Sequence, residues 1–209
     1  MKLNLYMNVS STVLLFLLLA GCGGLSKSYP ERQYYMFDVP SVTKQIPPVK
    51  GAIAGVYSFN VSPGSTGKDF IYRTGDLSYE SDFYNQFFRP PGPMLTELTI
   101  SWLSDAGLFT DVVGSVSQAS PNYFIEADVV KLYGDYRSSP KAVMQIQFVL
   151  LKYVTDSSYN DHTAIVFGKT YTSEIPISSK TPNDLMKGWN TALGDILNSF
   201  LTDLKNNVK

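Results

Sequence analysis

The sequence predicts an α+β domain in which an antiparallel or mixed sheet is backed by two helices, in the order βββ-α-βββ-α. Short runs rich in Val, Ile, Tyr and Phe, separated by turn residues, precede a segment with helical spacing. Three longer runs, alternating in part, follow that segment, and the chain ends in a second helical stripe. Because each amphipathic helix must bury its apolar face, we expect the two helices to cover the sheet.

The first half of the predicted domain contains three strands and one helix. Strands are predicted at 34–39, 53–61 and 69–74, with Tyr79 as a candidate start of a short fourth. The helix is predicted at 92–107, where Gly107 is a suitable end cap. Its apolar stripe consists of Leu95, Leu98, Trp102, Leu103 and Ala106.

The second half is predicted to be an antiparallel meander followed by a helix. The three strands are expected at 123–136, 142–154 and 163–175, with a turn at 156–161. Thr181 can cap the last helix, Pro182 suits its first position, and Asp184 favours the positive end of the helix dipole. The apolar face of this helix carries Leu185, Trp189, Ala192, Leu193, Ile196, Phe200 and Leu204.

The N-terminal segment has the pattern of a lipoprotein signal peptide. Lys2 precedes an apolar run at 13–20, which is too short to span a bilayer comfortably because about 20 apolar residues are needed. The sequence Leu19-Ala20-Gly21-Cys22 resembles the lipobox of bacterial lipoproteins, in which small residues precede the cut and the thiol receives diacylglycerol. We therefore expect cleavage before Cys22 and acylation of this residue, typically with palmitate.

This processing would divide the chain into three parts. They are a lipoprotein signal peptide at 1–21, a lipidated tether at 22–33 and a single α+β domain at 34–209. Lipoproteins of the enteric type stay at the inner membrane when Asp follows the cysteine. Here Gly23 follows, so resemblance to that sorting rule favours the periplasmic face of the outer membrane.

Composition argues against several classes of protein. The 209 residues carry a formal net charge of −1, so the chain lacks the excess of Lys and Arg that is typical of nucleic-acid-binding proteins. The single Cys allows no internal disulfide, and the single His excludes multi-His metal sites. The sequence has neither a GxSxG elbow nor a GxxxxGKS phosphate loop. We expect no enzymatic activity, no cofactor and no metal.

Two polar groups are candidate sites. His162 lies in the predicted turn, where it is either a base or ligand or, in the interpretation we favour, a solvated turn residue. Asp69, Arg73 and Asp76 are either a charged site or, as we favour, a strand-end ion pair and a turn residue.

Aromatic residues crowd into the segment before the first helix, at Phe83, Tyr84, Phe87 and Phe88. They can form an exposed apolar patch that binds a partner or an acyl chain. They can also be core packing under the first helix, which is the interpretation we favour. The apolar face of the last helix is likewise interpreted as core.

Several short motifs follow one another along the mature chain. They are Tyr34-Tyr35-Met36-Phe37, then Asp69-Phe70-Ile71-Tyr72-Arg73 with Tyr79, then Phe87-Phe88-Arg89-Pro90-Pro91 with Met94-Leu95, then Leu103 through Gly107-Leu108-Phe109 and Val112, then Pro121 to Ala127. In order and spacing they resemble the auxiliary lipoproteins of ABC-type transport systems that work with mammalian-cell-entry (MCE) proteins. Members often carry Trp before the paired prolines, where this chain has Phe87 and Phe88.

The resemblance implies a fold like the N-terminal domain of TolB, no enzymatic role and, in some members, assembly into rings. It implies a lipid-anchored accessory component of an MCE-type ABC lipid transport system, a non-catalytic adaptor for an MCE-type periplasmic protein at the outer membrane. The alternative is an assembly or pilot lipoprotein for an outer-membrane barrel or a secretin. The sequence leaves open the lipid cargo, the direction of transport and whether the chain forms a homo-oligomer.

Overall fold

The computed structural model describes residues 30–42, 46–155 and 160–209. Residues Arg32–Lys209 form one compact unit. The predicted signal peptide, Cys22 and most of the predicted tether lie outside the described residues, as does most of the turn predicted at 156–161. No helix in the described ranges is long and apolar enough to cross a membrane.

The described unit contains nine strands and two α-helices. The elements before the first helix are β1 (Gln33–Tyr35), β2 (Val49–Val56), β3 (Asn60–Val61), a 3-10 turn (Pro63–Ser65), β4 (Asp69–Arg73) and β5 (Tyr79–Phe87). They are followed by α1 (Pro91–Ala106), β6 (Phe109–Gly114), β7 (Tyr123–Asp135), β8 (Lys141–Thr155), β9 (Asp161–Pro176) and α2 (Pro182–Asn207). The predicted α+β class, the mixed sheet and the two helices are confirmed.

The number of strands differs from the prediction, with five before α1 and four after it among the described residues. The strand predicted at 53–61 is two strands, because Phe59 leaves the ladder and donates its N–H to Thr96 Oγ1 of α1 at 3.0 Å. Tyr79 begins a full strand of nine residues. The short strand β6 has no counterpart in the prediction, since its polar residues Thr110 and Asp111 obscure the alternation.

β7 is the central strand of the sheet. Along one edge it pairs in turn with β2, β3 and β4, all parallel to it. Its other edge pairs antiparallel with β8, which pairs antiparallel with β9, so the predicted meander is confirmed. The sheet continues from β2 to β6 and, on the other side, from β4 through β5 to β1, which is an edge strand.

Both helices have the caps that the sequence predicts. Thr181 Oγ1 accepts the backbone N–H of Asp184 at 3.3 Å at the start of α2. Gly107 ends α1 with φ of 74°, and its N–H reaches the carbonyl oxygen of Leu103 at 3.3 Å. A positive φ is the conformation that glycine adopts at low cost, so this residue ends the helix.

α2 packs closely on β8. Phe200 stacks on Phe148, with ring centroids 4.1 Å apart. Gly188 allows the close approach, because an added Cβ would lie 2.6 Å from the Cβ of Ala142. The predicted apolar face of α2 is therefore buried in the core.

An aromatic cluster fills the core between α2 and the strands β4 and β5. The ring of Trp189 lies 4.9 Å from that of Phe70 and 5.5 Å from that of Phe87 between centroids. Phe37 stacks on Phe87 at 5.3 Å. The cluster therefore fixes the end of β5 on the core, next to the edge strand β1.

Candidate functional site

β5 carries a bulge near the edge of the sheet. Asp69 of β4 pairs with Gln86, whereas the next residue, Phe70, pairs with Asp82, so residues 83–85 have no counterpart in β4. The described pairing with β1 begins only at Asn85. Phe83 and Tyr84 are therefore the extra residues that such a bulge displaces from the ladder.

The carboxylate of Asp82 holds this bulge in place. Its Oδ1 accepts the backbone N–H groups of Tyr84 at 2.9 Å and Asn85 at 3.0 Å. Its Oδ2 accepts the hydroxyl of Tyr72 at 2.7 Å and Nδ2 of Asn85 at 2.9 Å. Burial raises the pKa of this carboxyl, but the hydrogen bonds lower it by more, so the pKa lies below its ordinary value. The group is therefore ionised at neutral pH.

Replacing Asp82 by alanine is expected to lower the free energy of unfolding by about 1–3 kcal/mol, because its donors lose their acceptor. Urea denaturation followed by circular dichroism measures the change. The matched control is Asp76→Ala, since the side chain of Asp76 is 94% exposed and its pair with Arg137 is a surface ion pair of small value. Equal losses in the two variants would contradict the role of Asp82.

The same carboxylate predicts a pH dependence of stability. Because the pKa of Asp82 is lowered in the folded state, its stabilisation is fully present above the unfolded value of about 3.9. It is lost as the pH falls through the lower pKa of the folded state. Denaturation at several pH values below about 5 should therefore show a smaller loss of stability in Asp82→Ala than in the wild type.

The exposed side chains around the bulge form a surface that we call the aromatic edge. It consists of Arg32, Tyr34, Met36, Phe83, Tyr84 and Phe88. The guanidinium carbon of Arg32 lies 3.8 Å from the centroid of the Phe83 ring. Tyr34 and Phe88 meet edge to face, with centroids 6.3 Å apart. The aromatic edge thus combines apolar rings with a cation.

The four aromatic residues that lie close together in the sequence differ in burial in the structure. Phe87 is buried in the core, whereas Phe83 and Phe88 remain 55% and 54% exposed and Tyr84 is exposed as well. The core interpretation therefore holds for Phe87, and the other three lie in an exposed patch. Sequence reasoning missed Arg32 and Tyr34, because only the pairing of β1 with β5 brings these distant segments together.

A second apolar surface lies on the face of the sheet opposite the helices. Phe124 of β7 pairs with Leu151 of β8, which pairs with Ile165 of β9, and directly paired residues share a face. Tyr57 stacks on Phe124, with ring centroids 5.7 Å apart. We call these four residues the outer strip. Ile165 is 71% exposed, so the strip is open to solvent.

The sequence contained a signal for the outer strip that the prediction did not use. Tyr123, Phe124 and Ile125 are consecutive, so apolar side chains point to both faces of β7. β8 repeats this pattern at Leu150 and Leu151. A strand with one polar face would have alternated instead.

Asp69, Arg73 and Asp76 do not form one site. Asp69 accepts hydrogen bonds from side chains of β5. Arg73 donates to the backbone carbonyl oxygens of Gly75 at 3.3 Å and Asp76 at 2.7 Å, while the carboxylate of Asp76 pairs with Arg137 at 3.3 Å. The predicted ion pair within this group is therefore wrong, and Arg73 instead holds the β4–β5 turn.

A cleft of about 530 Å³ opens beside Arg73, between β4, β5 and β7. Tyr79 and Tyr133 meet there edge to face, with centroids 5.7 Å apart. Lys131 and Glu80 also line the cleft. With Arg73, the lining therefore has two cationic side chains and one anionic side chain.

His162 lies in a strand and not in the predicted turn. It is the second residue of β9, exposed, and it pairs with Val154 of β8. Its Nδ1 lies 3.4 Å from the carbonyl oxygen of Asn160, while the neighbouring carboxylate of Asp161 accepts the hydroxyl of Thr155 at 2.7 Å. Within residues 30–42, 46–155 and 160–209, no group of three or more His, Cys, Asp or Glu is placed to hold a metal ion.

Two solved structures share the fold of this chain. Protein XCC0632 from Xanthomonas campestris, which belongs to the family DUF330, is 18% identical with a TM-score of 0.68, and the match covers 81% of this chain and 92% of that one. An uncharacterised protein is 13% identical with a TM-score of 0.64, over 83% of this chain and 99% of that one. Identities this low show the fold alone. No family model and no curated protein matches the sequence.

A more distant likeness is to a PelC dodecamer from Paraburkholderia phytofirmans. It is 14% identical with a TM-score of 0.43, over 74% of this chain and 90% of that one. A score of this size does not indicate the oligomeric state of the present chain.

Proposed function

We propose that this protein is a lipid-anchored accessory component of an MCE-type ABC lipid transport system, acting as a non-catalytic adaptor at the periplasmic face of the outer membrane. The lipobox at Cys22 and the ordered motifs of the mature chain support the anchor and the family. The likeness to a DUF330 protein is in keeping with the proposal at the level of the fold. The single structural observation that carries the adaptor role is the outer strip.

The outer strip has the properties of a protein-binding surface. Its residues come from the three strands β7, β8 and β9 and from the segment that follows β2, and they lie on the face of the sheet that neither α1 nor α2 covers. Aromatic residues are enriched where proteins bind each other, and contiguous exposed apolar surface often marks such a contact. An adaptor that binds a periplasmic MCE-type protein needs one face of this kind, held rigidly by a packed sheet.

Photo-crosslinking in intact cells tests the adaptor role. A benzoylphenylalanine at Ile165 is expected to form an adduct with an MCE-type periplasmic protein, identified by mass spectrometry. The control carries the same group at Val116, which is 95% exposed in the turn after β6. An adduct from Ile165 with an outer-membrane barrel or secretin would instead support a pilot or assembly lipoprotein. Equal adducts from both positions, or none from Ile165, would contradict the proposal.

The absence of enzymatic activity remains a prediction, and so does assembly into a homo-oligomer. His162 would have to be the base in a Ser-His-Asp type of site. His162 lies at the exposed start of β9, and the neighbouring Asp161 carboxylate accepts a hydrogen bond from the hydroxyl of Thr155. This arrangement supports a non-catalytic role for His162.

A further inference from the structure

The aromatic edge has the chemistry of a membrane–water interface. Phe83 and Phe88 each leave about half of their surface in solvent, and Tyr34 is 50% exposed beside them. Aromatic side chains with a polar or charged neighbour favour the headgroup region of a bilayer, where one end meets hydrocarbon and the other meets water. Arg32 supplies the charged neighbour, because its guanidinium lies against the Phe83 ring.

None of the bulge residues 83–85 carries a negative charge, and the carboxylate that precedes them is hydrogen-bonded within the fold. Asp82 is the carboxylate nearest to Phe83 in the chain, and its two oxygens accept four hydrogen bonds from within the fold. Arg89, which follows Phe88, pairs with Glu97 of α1 at 2.6 Å. A surface that approaches anionic lipid gains from the guanidinium of Arg32, and the exposed carboxylate of the neighbouring Glu31 offsets part of that gain, so the aromatic rings supply most of the expected contact.

The covalent chain limits how far the aromatic edge can lie from the acyl anchor. Arg32 follows Cys22 by ten residues. A fully extended chain of that length spans at most about 35 Å, which is close to the thickness of one bilayer core. The compact folded unit begins at Arg32, which is itself part of the aromatic edge.

We propose that the aromatic edge rests in the headgroup region of the bilayer that holds the acyl chains of Cys22. This inference depends on the lipid anchor of the proposed function. The domain then has two attachments to the membrane, one covalent at Cys22 and one through Phe83, Tyr84 and Phe88. Two attachments fix its orientation, because a tether alone leaves the domain free to rotate.

Tryptophan quenching in the full lipidated chain tests this contact. Phe83→Trp protein is incorporated into phosphatidylethanolamine–phosphatidylglycerol vesicles, with or without brominated phosphatidylcholine. The two native tryptophans, Trp102 and Trp189, are buried and give a constant background. We expect bromine to remove most of the emission of the new tryptophan. In the matched control, Val116→Trp, the exposed tryptophan is expected to keep its emission.

The outcomes separate the anchor from the aromatic edge. Flotation of the same vesicles reports whether the lipidated chain is attached at all, and failure to float would overturn both the anchor and this inference. Flotation with equal quenching at 83 and 116 would leave the anchor intact and overturn the membrane contact. A blue-shifted emission at 83 that bromine does not quench would show that protein covers the aromatic edge, which also overturns it.

Discussion

Trp189→Ala is expected to unfold with a free energy about 3–5 kcal/mol below that of the wild-type chain. Trp189 is fully buried, and its ring contacts Phe70 and Phe87. Truncation would leave a cavity between α2 and the sheet, and close-packed surroundings collapse into such a space only in part. The indole N–H, 3.4 Å from the carbonyl oxygen of Tyr133, would also be lost. The change removes a large part of the 5–15 kcal/mol or so that stabilises a typical domain.

Urea denaturation of the full chain, followed by far-ultraviolet circular dichroism, measures this loss. Trp189→Phe is the control, because it keeps an aromatic ring in contact with Phe70 and Phe87, and its loss is expected to be clearly smaller. A loss below about 1 kcal/mol in Trp189→Ala would show that the aromatic cluster is not tightly packed. If Trp189→Ala fails to fold, the intermediate stability of Trp189→Phe still reports the contribution of the ring.

Cys22→Ser is expected to abolish acylation, so that variant chains from which residues 1–21 have been removed move from the membrane fraction to the soluble fraction. Cys22 is the only cysteine in the chain, so no other thiol can carry the lipid. Each acyl CH₂ that enters the bilayer contributes about 0.8 kcal/mol, and stable attachment needs two chains or a second signal. The aromatic edge can supply only a weak contact by itself, so it should not retain the unlipidated variant.

Cell fractionation with immunoblotting measures the change, and the intact mass of the wild-type protein should correspond to a diacylated chain that begins at Cys22. Ser26→Ala is the control, since it alters the same segment without removing the thiol. A wild-type protein that is soluble, unacylated and still carries residues 1–21 would contradict the anchor. A Cys22→Ser variant that has lost residues 1–21 and still stays fully in the membrane would contradict it equally.

Local signals predicted the C-terminal half of the fold well. The start of α2 follows from Thr181, Pro182 and Asp184, which act within one helical turn. The meander β7–β8–β9 follows from runs of apolar residues separated by short turns, because each strand pairs with its neighbour in sequence. The prediction needed no contact between distant segments.

The N-terminal half and the candidate site depend on distant contacts that local patterns do not contain. The parallel pairing of β2, β3 and β4 with β7 is decided by the register of a strand that is far away in sequence. The bulge in β5 interrupts alternation, so the four aromatics in that segment had no visible division into core and surface. That division depends on Asp82, whose hydrogen bonds displace Phe83 and Tyr84.

The place of β7 also constrains the order in which the chain can acquire its fold. β2, β3 and β4 all precede β7, and they share its edge. If the polypeptide is delivered across a membrane with its N-terminus first, these segments stay without their long neighbour until Asp135 has emerged. During that interval β4 can pair only with β5 and β2 only with β6, whereas β8 and β9 find their neighbours as soon as they arrive.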